Sequence, residues 1–176
     1  MKIRTQILTA VLMTVLLTAC NSNAEPAASE ELTRFRATVD TFCASITEAD
    51  AKINSVDTAS ENFNTEIIAD LNALNSSFTD FAAVDFPEQY DYLEHLADEA
   101  SDYMSQAVAG FTKVYTDDSL SEKTIQSEFD NATELYNNAF KRIKVIMTFL
   151  NGETSEDASV QTESSGTLTS PEPDGQ

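Results

Sequence analysis

The chain has 176 residues, enough for one ordinary domain with accessories and too few for two large cores. Ten Lys and Arg stand against thirty Asp and Glu, a formal charge of −20. So acidic a chain lacks the cationic side chains that displace counterions from phosphates, which argues against nucleic acid as a partner and for cations or basic proteins.

The first residues, Met1-Lys2-Ile3-Arg4, are basic, and Ile7 to Ala19 form a thirteen-residue apolar run interrupted only by threonines. That order is the order of a secretory signal peptide. The run is shorter than the roughly 20 apolar residues a membrane-spanning helix needs. It ends in Leu17-Thr18-Ala19-Cys20, which resembles the lipobox of bacterial membrane lipoproteins. The resemblance covers residues 1–20 alone. It implies removal of residues 1–19, a diacylglyceryl group on the Cys20 sulfur and a fatty acid of the palmitate type on the new amine. Two or three such chains hold a protein durably at a bilayer, where one does not. Asn21, not aspartate, follows the cysteine, which within the same resemblance favours the outer membrane of a two-membrane envelope, or the outer face of a single membrane. The alternative is an ordinary secretory signal cut near Ala19. All thirty acids lie beyond Cys20 with eight of the bases, so the mature chain carries −22. A thioether at Cys20 also means that no intrachain disulfide forms in the mature protein, and Cys43 is expected to behave as a small buried apolar residue.

Residues 20–28 read as a short anchored linker, 29–152 as a helical domain, and 153–176, with acids, no bases and few apolar side chains, as a disordered acidic tail. Between Ser29 and Asn151 stand one proline, Pro87, and one glycine, Gly110, too few for the turns of a hairpin-rich fold. Helical periodicity fills the interval. Leu32, Phe35, Val39, Phe42, Ile46, Ala49, Ile53 and Val56 alternate three and four apart. A second helix is expected to open on the capping box Thr58-Ala59-Ser60-Glu61 and to bury Phe63, Ile67, Leu71, Leu74, Phe78 and Phe81. Pro87 suits the first turn of a third helix, whose apolar face runs from Tyr90 through Leu93, Leu96, Ala97, Ala100, Met104, Ala107 and Phe111 to Val114. Gly110 lies inside it, tolerable if another helix approaches closely. Ser119-Leu120-Ser121-Glu122 has capping-box form ahead of a fourth helix with Ile125, Phe129, Ala132, Leu135, Tyr136, Ala139, Ile143, Ile146, Met147 and Leu150 on its apolar face, stopping at Asn151-Gly152. Four helices of about 25 to 32 residues with short loops predict an all-α, antiparallel up-down four-helix bundle. A dimerising two-helix hairpin is the runner-up.

The topology places the start of the first helix and the end of the fourth at one end, near the lipid. Five of the eight mature bases fall there, Arg34, Arg36, Lys141, Arg142 and Lys144, either facing an anionic bilayer or answering the helix dipole. Conversely, Ile53 to Thr112 contains twelve acids and no Lys or Arg. Within it Asp91, His95, Asp98 and Asp102 project opposite the leucines of the third helix, with Glu94 and Glu99 at the borders. Asp91, His95 and Glu99, spaced four apart, form either a divalent-cation site or a solvated charged face. Tyr92 and Tyr103 on the flank either border a partner's groove or pack at the bundle edge.

One histidine cannot supply the two Glu-x-x-His motifs of a di-iron bundle, and neither a haem-attachment run nor a glycine-rich phosphate loop occurs. No cofactor and no enzymatic activity are expected. The reading is a lipid-anchored envelope protein that contacts another macromolecule through an acidic helical surface. The alternative is a module holding a small ligand or cation between its helices, which a cavity with convergent polar groups would favour.

Overall fold

The computed structural model describes residues 30–151. The expected signal peptide 1–19, the expected linker 20–28 with Cys20, and the expected tail 153–176 lie outside the described residues. The described chain forms α1 (Glu30–Ser55), α2 (Phe63–Ala82), a 3-10 turn (Asp91–Leu93), α3 (Glu94–Thr116) and α4 (Glu122–Leu150), with no strand among the described residues. It is an all-α, antiparallel up-down four-helix bundle.

Phe35, Val39, Phe42, Ile46 and Ala49 of α1 are buried, as are all six expected side chains of α2 and every expected α3 position from Leu93 to Val114. Leu135, Tyr136, Met147 and Leu150 of α4 are half-buried around this core, and Cys43 packs half-buried beside the α1 seam. Rings join the layers. Phe42 stacks on Phe81 at 4.2 Å and meets Phe78 edge-on at 5.5 Å. Phe78 in turn meets Phe140 of α4 at 5.3 Å. The α1, α2, α3 and α4 backbones approach closely in sequential pairs, α3 and α4 most extensively. Through its ring contacts Phe78 of α2 links α1 to α4, and burial raises the pKa of the Tyr136 hydroxyl on α4, with Asp50 of α1 adding to the rise.

Three boundaries differ from the expected ones. The Thr58 box does not form, because the Asp57 carboxylate accepts the Ala59 N–H at 2.9 Å and the Ser60 hydroxyl accepts the Asn62 N–H at 3.1 Å. These bonds fold residues 57–62 into turns, and α2 starts five residues later at 20 residues long. Pro87 starts a turn, not a helix. Its carbonyl accepts the Tyr90 N–H at 2.6 Å, and α3 begins only at Glu94. The fourth helix is capped by Ser121, whose hydroxyl accepts the Thr124 N–H at 3.2 Å, whereas Ser119 is occupied by Asp117.

Gly110 fulfils its expectation. A Cβ there would lie 2.9 Å from the Ala132 Cβ on α4, so the absent side chain lets α3 and α4 pair closely. Gly110→Ala gains helix propensity of about 1 kcal/mol but overpacks a tight contact at about 1–3 kcal/mol. A net fall in thermal midpoint is expected by circular dichroism. The double variant Gly110→Ala/Ala132→Gly is expected to recover part of it.

Candidate functional site

The acids of the cation-free stretch divide between α2 (Glu66, Asp70, Asp80), the α2–α3 connection (Asp85, Glu88, Asp91) and α3 (Glu94, Asp98, Glu99, Asp102), with Asp57 and Glu61 ahead of α2. Apolar periodicity turns the leucine and phenylalanine faces of α2 and α3 inward, so these carboxylates are carried outward as a consequence of core formation. Most are exposed, and Asp70, Glu94 and Glu99 are half-buried. Among the described residues, Glu99 is the one of the twelve that forms an ion pair.

That ion pair reorganises both sets of expected site residues. Arg142 is not presented to solvent. It is 8% exposed between α3 and α4, its Nε donates to Glu99 Oε2 at 2.6 Å, and its guanidinium carbon lies 5.7 Å from the centre of the Tyr103 ring. The signal was present in the sequence, since Arg142 lies three residues from both Ala139 and Val145, two buried positions of α4. Its charged neighbours Lys141 and Lys144 obscured that stripe, but they point to solvent.

The proposed cation ligands are likewise dispersed. Asp91 lies on the 3-10 turn ahead of α3, which breaks the α-helical spacing to His95, while Glu99 turns away to Arg142. His95, Asp98 and Asp102 stay exposed on α3. Among the described residues no group of three His, Cys, Asp or Glu side chains is placed to hold a metal ion.

The expected basic end is also not basic. Phe35 of α1 touches Phe86 and Tyr90 of the connection, and Tyr92 touches Phe149 of α4. The start of α1, the end of α4 and the α2–α3 connection therefore share one end of the bundle. Arg34, Arg36, Lys141 and Lys144 stand there with Asp85, Glu88, Asp91 and Glu94. Arg34 donates to the Glu30 carbonyl at 3.4 Å.

Partial burial, followed by the charges of Asp85, Asp91 and Asp98, raises the pKa of Glu94 above its ordinary 4.5. A carboxyl that binds its proton more readily folded than unfolded makes the fold more stable as pH falls from neutral through that raised value. The gain ends once the unfolded carboxyl also protonates near 4.5. Glu94→Gln is expected to give a slightly higher thermal midpoint at neutral pH and a flatter dependence on mild acid, read by thermal melts across that interval.

An open groove of about 570 Å³ also runs between α2 and α3, walled by Asn72, Asn75, Ser105, Thr112, Lys113 and Thr116. Its one cation is already engaged, with Lys113 Nζ 2.5 Å from Glu128 Oε1 of α4. The side-chain oxygen of Asn75 is buried without a hydrogen-bond partner among the described residues. Sequence periodicity gave no warning of the groove, because its residues are the polar positions that ordinarily face water.

No helix among the described residues is long and apolar enough to cross a membrane. Comparison with protein-family models, with curated proteins and with solved structures finds no match to this chain.

Proposed function

We propose that this is a lipid-anchored protein of the bacterial cell envelope, fixed by Cys20 on the extracytoplasmic side, that acts without catalysis by presenting the α2–α3 surface to a basic protein or envelope component. The observation that carries this reading is the set of exposed, uncompensated carboxylates on two rigidly packed helices. Like charges held together on a fixed scaffold steer an oppositely charged partner and favour its docking. The tether agrees with this placement: Glu30 follows Cys20 by ten residues, a reach of at most about 35 Å. In a two-membrane envelope the outer membrane is the proposed site, and otherwise the outer face of the cytoplasmic membrane.

Two measurements test it together. Intact-mass analysis of the membrane fraction is expected to show a diacylglyceryl group on Cys20, and Cys20→Ser is expected to leave the unprocessed chain without it. Capture of a partner from solubilised envelopes is expected to fade as salt rises, because exposed charge pairs are screened over about 10 Å at 0.1 M ionic strength. An unlipidated Cys20, or capture indifferent to salt, contradicts the reading.

The groove between α2 and α3 favours a second reading, a small-ligand module. It is open and polar, without the enclosed apolar lining of most small-molecule sites, so the contact reading is preferred.

A further inference from the structure

Four large side chains crowd the connection, and the turn sorts them. Phe86 and Leu93 are buried at 7% and 1% exposure, and Tyr90 stacks on Phe35 at 5.9 Å. Tyr92 alone is turned out, 53% exposed, the one exposed large hydrophobic among the described residues. It is not loosely held. The Tyr90 N–H is fixed by the Pro87 carbonyl at 2.6 Å and the Leu93 N–H by the Tyr90 carbonyl at 2.8 Å, so both flanks of Tyr92 are tied down. Its ring meets Phe149 edge-to-face at 5.9 Å and 87°. A ring set in place before binding loses little conformational freedom when a partner covers it.

Charge selects the occupant. Asp91 is its chain neighbour, and Asp85, Glu88, Glu94 and Asp98 belong to the same connection and the first turns of α3, none of them in an ion pair among the described residues. An arginine can place its guanidinium over a tyrosine face while its N–H groups meet carboxylates. An anionic bilayer meets repulsion from these five carboxylates, which outnumber the four bases, Arg34, Arg36, Lys141 and Lys144, at the same end of the bundle. Building on the acidic-contact reading, we propose that the α2–α3 connection is the docking point for an arginine-containing segment of a partner protein, with Tyr92 as its aromatic anchor.

The test is titration of the full-length chain, in detergent, with a fluorescent hexa-arginine peptide at low salt. Tyr92→Leu is expected to weaken binding about five- to tenfold, Tyr92→Phe to retain it, and Glu134→Gln, at an exposed position of α4 outside the α2–α3 surface, to change it less than about twofold. Circular dichroism of each variant separates lost binding from lost folding, and Tyr92→Phe keeps both the ring and its packing. Undiminished binding by Tyr92→Leu overturns the docking point while leaving the acidic-contact reading intact. Absence of peptide binding by the unaltered chain overturns both. Binding to phosphatidylcholine vesicles that disappears in Tyr92→Leu makes the bilayer the occupant and overturns the proposal as well.

Discussion

Phe78→Ala is expected to destabilise the bundle by about 3–5 kcal/mol, the range for truncating a fully buried phenylalanine. Phe78 is 1% exposed and links three helices, with Phe42 of α1 at 5.5 Å and Phe140 of α4 at 5.3 Å from its ring. Because this ring bridges α1 and α4, the cavity it leaves falls where those two helices are linked. Neighbours packed near crystal density collapse into such a space only in part. Urea unfolding followed by far-ultraviolet circular dichroism reads the loss, and a change below about 1 kcal/mol would mean that the site relaxes freely or that α1 is not held through this ring.

Removal of Glu99 comes second. Glu99→Ala leaves the Arg142 guanidinium 8% exposed without its 2.6 Å carboxylate partner. Breaking a buried pair from one side costs about 3–5 kcal/mol. The Glu99 side chain is 29% exposed, so water compensates in part and about 2–3 kcal/mol is expected. The double variant Glu99→Leu/Arg142→Met is expected to regain most of this, since an apolar pair of similar volume avoids desolvating two charges. Equal destabilisation by the double variant and by Glu99→Ala would show that Arg142 matters through its packing on Tyr103 and not through its charge.

The fold was legible because apolar spacing reports directly on burial. All the expected α2 core positions and the α3 face from Leu93 to Val114 are buried, and the Gly110 contact followed from the poor helix propensity of a glycine kept inside a helix. Boundaries were less legible. Asp57, Ser60 and Asp117 offer side-chain acceptors that compete with a capping box, and that competition is decided by loop geometry a four-residue pattern does not contain. Arg142 shows the same limit in the core: composition marks an arginine as exposed, and only the position of Glu99 on the facing helix supplies the partner that lets it be buried. An unbroken helix would set Asp91 in register with His95, and the turn built by Pro87 removes it. The acidic surface itself was legible as a gap in the basic residues, whereas the exposure of Tyr92 depended on which of four neighbouring side chains the turn admitted to the core.

The most direct measurement of the central claim is photo-crosslinking in intact cells, with a crosslinking residue placed at Asp98 or Asp102 on the acidic face or at Lys144 on α4. All three positions are exposed. Contact through the α2–α3 surface predicts a discrete protein adduct from Asp98 and Asp102 and none from Lys144. No adduct from the α3 positions, or the same adducts from all three, would contradict it.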